Sequence, residues 1–144
     1  MEATLIPRVT ATCALLALAL TSRAAAQASK HDVTYRAPGG TTLRLLLDEH
    51  DVGEAVSVGE LTFAPNGDSG EHRHGAIEIF YVLSGELEHV VNGASRLLTA
   101  GMVGYVKPPD TIRHKTGAAG AKVVVIWVPG DEARKIVARW SREP

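Results

Sequence analysis

The stretch Gly70–Gly85, GEHRHGAIEIFYVLSG, decides how the rest of the chain is read. It opens with two imidazoles two residues apart, His72 and His74, and carries a carboxylate, Glu78, into a β-branched and aromatic run. Ala76–Leu83 reads as a strand, across which side chains alternate. With the segment extended throughout, His72, His74, Ala76, Glu78, Phe80 and Val82 share one face. Ile77, Ile79, Tyr81 and Leu83 share the other and are apolar too, so both faces are expected to be covered. A carboxylate in such surroundings costs on the order of several kcal/mol without a strong partner. An arginine, Arg44 or Arg113, is the plain candidate. A divalent cation is the partner that also accounts for the histidines.

Working outward, short runs alternate with turn residues. Ser29–Gly40 is polar and ends in Pro38-Gly39-Gly40, a turn signal. Strands are expected at Thr42–Asp48, Glu54–Ala64, Glu86–Val91, Ser95–Thr99, Val103–Val106, Ile112–Thr116 and Lys122–Val128. Asn92-Gly93 is a two-residue hairpin signal. Only the end reads as helical: Asp131–Trp140 places Ala133, Ile136, Val137 and Trp140 on one apolar face, with Asp131 as the expected N-cap. Short strands at regular spacing predict an antiparallel sandwich or barrel.

Residues 1–26 have the form of a secretory signal peptide: Arg8, the apolar Val9–Leu20, then small residues around Ala24–Ala28. The apolar run is shorter than the roughly 20 residues of a membrane span. The expected organisation is therefore a signal at 1–26, an N-terminal segment at 27–40 and one domain at 41–144, periplasmic or secreted and free of the membrane after cleavage. Cys13 is the only cysteine and lies within the signal, so the mature chain has neither disulfide nor thiolate ligand. The 15 basic and 16 acidic residues are scattered and nearly balanced, which argues against a nucleic-acid partner.

A third imidazole, His114, follows the turn-rich stretch from Gly101 through Pro108-Pro109. With it the sequence resembles the cupin family. His72-x-His74-x3-Glu78-x6-Gly85 is similar to the first cupin motif, and Gly101 to His114 is similar to the second. Four residues separate Gly67 from His72 where the family has five, and Asp110 stands where the family has glycine. The resemblance covers roughly Ala55 to Pro129. It implies an all-β double-stranded β-helix, a jelly-roll barrel, with the short helix at its C-terminal end. It also implies one divalent metal on His72, His74, Glu78 and His114.

Three imidazoles and one carboxylate suit a divalent transition metal; iron or manganese is favoured, and nickel, copper, cobalt and zinc are compatible. Four protein ligands on a six-coordinate ion leave two positions for water, substrate or dioxygen. The resemblance implies a metal-dependent oxygenase (dioxygenase-like) acting on a small oxygen-bearing molecule, with Glu78 also able to take a proton. A non-catalytic metal- or ligand-binding module and a metal-dependent lyase or isomerase are the other readings. Phe63, Phe80, Tyr105 and Trp127 are candidate pocket walls or plain core. His89 and Arg73 are candidates for the surroundings of the site or exposed residues, and His31 and His50 are read as surface. A homodimer is one way to cover the apolar outer face of Ile77–Leu83; the C-terminal helix is another.

Overall fold

A computed structural model describes residues 33–144. The signal expected at 1–26, residues 27–32 of the N-terminal segment and His31 lie outside them. The described chain runs β1 (Thr34–Arg36), β2 (Thr42–Leu47), α1 (Glu49–Val52), β3 (Ser57–Phe63), β4 (Ile77–Val91), β5 (Ala94–Thr99), β6 (Val103–Val106), β7 (Ile112–Val128), α2 (Asp131–Val137) and β8 (Ser141–Arg142). The strands are hydrogen-bonded in the order β5-β4-β7-β3-β2-β1-β8, with β6 also on β4, and the named strand pairs are antiparallel. The fold is the all-β jelly roll, with a short helix near its C-terminal end.

Two long strands organise the barrel. Ala76–Leu83 and Glu86–Val91, expected as separate strands, are one, β4; Ile112–Thr116 and Lys122–Val128 likewise join as β7. Register shifts at Val82/Ser84 and Gly85/Leu87 mark where the pair bends. Gly85 (φ 75°) and Gly120 (φ 65°) meet there, and a Cβ on Gly85 would lie 2.2 Å from the Gly120 carbonyl oxygen. Only glycine permits both the left-handed backbone and this approach. The bend exchanges the buried parity: Glu78, Phe80 and Val82 point inward before it, Leu87 and His89 after it. The core, including Leu43, Phe80, Val82, Leu87, Val123, Val125 and Trp127, fills the barrel between these faces.

Several local expectations are corrected. β1, within the polar segment, pairs with β2 and β8. Helix is not confined to the end: Asp48 caps α1 in a reciprocal box with Asp51, and a 3₁₀ turn follows at Gly53–Ala55. Gly130, not Asp131, is the N-cap of α2, and the Asp131 carboxylate instead meets Lys135 Nζ at 2.8 Å. The Asn92-Gly93 hairpin has the expected positive φ at both residues, 50° and 81°. The outer face of β4 is not covered on both sides: Ile77, Tyr81 and Leu83 remain exposed.

Candidate metal centre

The four expected ligands line one cavity of about 570 Å³ at the barrel mouth, together with Phe63, Trp127, Glu132, Arg139 and Trp140. Strand pairing puts them there. His72 bridges to Ile112 at the start of β7, two residues from His114, through reciprocal backbone hydrogen bonds of 2.9 and 2.8 Å. The His72 ring centroid lies 4.9 Å from that of His74 and 6.0 Å from that of His114. Glu78 sits opposite Trp127 in the β4–β7 register, and His89 opposite His114. Adjacent side chains on one sheet face meet, so both cross-strand pairs become hydrogen-bonded contacts.

Glu78 is 2 % exposed. Its Oε1 accepts a 2.8 Å hydrogen bond from Trp127 Nε1. The two candidate arginines pair elsewhere, Arg44 with Glu60 and Arg113 with Asp68. Glu78 Oε2 is buried without a hydrogen-bond partner and lies 3.0 Å from His74 Nε2. A buried carboxylate oxygen without a hydrogen-bond partner calls for an explanation, and a cation shared with the neighbouring imidazole is one that its chemistry fits.

The three imidazoles are oriented by groups behind them. His72 Nδ1 donates to the Gly70 carbonyl at 3.0 Å and His74 Nδ1 to Glu132 Oε1 at 3.0 Å. His89 Nε2 lies 3.2 Å from the Tyr105 carbonyl, which only accepts, so that nitrogen carries the hydrogen. His89, held below the ordinary imidazole range by burial, is neutral and offers Nδ1 as acceptor to His114 Nε2, 3.1 Å away. His114 itself is 3 % exposed, packs its ring on Phe80 at 4.8 Å, and is held well below its ordinary range by burial first and then by His89, His72 and His74. His72 and His114 thus each spend one nitrogen as a donor and keep a lone pair on the other, the tautomer a metal ligand needs. His74 differs: burial pulls its pKa down, but the Glu78 and Glu132 carboxylates against its two ring nitrogens outweigh burial and raise it.

The residues fit a divalent transition metal by donor type and by the orphaned Glu78 oxygen. As placed, the donors meet in pairs, and among the described residues no three His, Cys, Asp or Glu side chains stand close enough together to hold a metal ion. Of the other candidates, Phe63 and Trp127 line the cavity and Phe80 lies beneath His114. Tyr105 is no wall: it is 65 % exposed on the outer face, and only its carbonyl serves the site. His89 is buried rather than exposed; Arg73 is exposed and bonds Thr111 Oγ1 but also lines the cavity, and His50 is at the surface. Glu132 was not visible in the sequence, where it flanks the apolar face of the helix as a solvated charge does.

Residues 59–129 match the family model described as a cupin domain. Among solved structures, an RmlC-like cupin from Shewanella frigidimarina NCIMB 400 superposes with a TM-score of 0.62 at 21% identity, covering 76% of this chain and 99% of that one. The polyketide cyclase RemF from Streptomyces resistomycificus gives 0.61 at 22% identity, with 83% and 82% covered. The oxalate decarboxylase of Bacillus subtilis, a protein with Mn(II) centres, gives 0.62 at 16% identity, with 72% and 29% covered. No curated protein is significantly similar to this chain.

Proposed function

We propose that this chain is a cupin, supported by the match of residues 59–129 to the cupin-domain model and by the jelly-roll fold it shares with an RmlC-like cupin, and that it is a metal-dependent oxygenase of the dioxygenase type acting on a small oxygen-bearing molecule. The observation that carries the metal is the orphaned, buried Glu78 Oε2, 3.0 Å from His74 Nε2, in a cavity that His72 and His114 also line. His72, His74, Glu78 and His114 would hold the ion. Bound there, a divalent metal supplies Lewis-acid polarisation of an oxygen ligand and, if iron or manganese, one-electron chemistry with dioxygen.

The chain's own residues do the rest. Trp127 fixes one Glu78 oxygen and leaves the other turned to the cavity, where it can hold a proton. Phe63 and Trp127 are apolar walls against water, and the volume suits a small organic ligand. Arg139 lines the same cavity without an ion-pair partner among the described residues, so its charge is available to a carboxylate or enolate oxygen. A second reading, a lyase or isomerase needing no dioxygen, is favoured by the likeness to a decarboxylase and a cyclase. The proposal also includes removal of residues 1–26 on export, checked by N-terminal sequencing of the periplasmic or secreted protein, and pairing of two copies through the outer face of β4.

The test is metal analysis of protein purified without a histidine tag, followed by oxygen consumption with small enols. Bound iron or manganese and oxygen uptake support the oxygenase. Turnover that persists anaerobically moves the protein to the lyase or isomerase class, and metal binding without turnover leaves a binding module. Retention of metal unchanged down to about pH 4 argues against imidazole ligands, which protonate near pH 6.5 when unperturbed.

A further inference from the structure

Building on the metal reading, we propose that Glu132 on α2 is a positioning residue of the centre: it fixes the tautomer and ring angle of His74, and so makes the C-terminal helix part of the metal site.

The carboxylate is buried, and the His74 Nδ1–Glu132 Oε1 bond of 3.0 Å joins two side chains 8 % and 7 % exposed. The helix does not need this contact in order to dock. Ala133, Ile136 and Val137 pack on the core, while Arg134 reaches Glu49 at 3.2 Å and Glu54 at 3.4 Å on the far side. Burying a carboxylate for attachment alone is costly, and an apolar side chain would serve that purpose better. The segment carrying His74 is shaped to admit the acid: a Cβ on Gly75 would stand 3.2 Å from Glu132 Oε2. With Nδ1–H held by the Glu132 carboxylate, Nε2 is the nitrogen turned to Glu78 Oε2, 3.0 Å away, and a metal would take the place of the proton on it; the negative charge behind the ring strengthens that nitrogen as a donor. Loss of such an outer partner lowers metal affinity by about 10- to 100-fold.

The experiment titrates Co(II) and Mn(II) into metal-free wild-type protein, Glu132→Gln, Glu132→Met and Arg134→Ala, reading the calorimetric isotherm and the Co(II) visible spectrum. Glu132→Gln keeps an acceptor for Nδ1–H and should retain affinity to within a few-fold. Glu132→Met keeps the volume without the acceptor and should lose about 10- to 100-fold, with altered Co(II) bands. Arg134→Ala, which unties the helix without touching the cavity, should bind as the wild type does. In wild type the metal should slow amide exchange over residues 131–137, and in Glu132→Met it should not. Wild-type affinity in Glu132→Met, or an Arg134→Ala loss equal to it, would overturn the positioning role. Absence of binding by the wild type overturns the metal reading itself, a separate result. If Glu132→Met does not fold, Glu132→Leu, which also removes the acceptor while keeping an apolar side chain of similar size, is titrated in its place, with the same loss expected and wild-type affinity overturning the role.

Discussion

At the scale of single residues, the centre separates groups that would hold an ion from groups that aim them. Substituting His72 or His114 by alanine is expected to abolish metal binding, whereas Glu78→Gln weakens it and preserves the fold; metal content and circular dichroism decide. The lowered pKa values give a further prediction. His114 and His89 stay neutral in the fold but take a proton once unfolded. The unfolded state therefore binds more protons, and stability falls as the pH drops below about 6.5, by up to about 1.4 kcal/mol per pH unit for each ring. His74 has the opposite sign: its contribution is complete below about pH 6.5 and is lost as the pH rises through its raised folded value. Thermal unfolding of metal-free protein between about pH 6.5 and 5 should show the acid loss, reduced in His114→Gln. An equal slope in that variant would remove His114 as its cause. That His72, His74 and Glu78 share one cavity was legible in the sequence because His-x-His-x3-Glu keeps one parity. His89 was not, because the bend at Gly85 moves the inward face from even to odd positions, and unbroken alternation puts His89 outside.

At the scale of elements, strand positions followed from alternation, while continuity did not. Ser84-Gly85 and the glycines near Gly120 read as breaks, yet they are corners that long strands pass through. The one-turn α1 had a signal that is easily lost in a short segment, the Asp48-x-x-Asp51 box, and β1 depends on partners distant in sequence. The corner is testable against a turn of similar backbone. Gly85→Ala brings a methyl group into the Gly120 carbonyl and is expected to cost on the order of 3 kcal/mol, combining overpacking with left-handed strain. Gly93→Ala, at φ 81° with nothing within 4 Å, carries the backbone strain alone, about 1–2 kcal/mol. Urea unfolding of the two variants measures the difference. Equal losses would show that the close approach at the corner contributes nothing.

At the scale of the molecule, the domain has two unlike faces. Helix α2 lies against the cavity side, to which it contributes Glu132, Lys135 and Ile136, so it does not shield the outer face of β4. There the register sets Tyr81 between Val103 and Val124, Ile79 between Tyr105 and Ile126, and Ile77 beside Val128. Leu83 extends the patch, and none of these residues is charged. Val103 is 57 % exposed and Tyr81 47 %. A contiguous apolar surface on three adjacent strands is the kind that marks association, and the same face of a second copy presents identical apolar chemistry. Wild-type protein is expected to sediment as a dimer at micromolar concentration. Tyr81→Lys or Val103→Lys should give a monomer with metal affinity unchanged, because both side chains point away from the cavity. A wild type that stays monomeric across the accessible concentration range would remove the pairing and leave the face to another partner. Lost metal affinity in a folded monomeric variant would mean instead that the barrel mouth depends on the dimer.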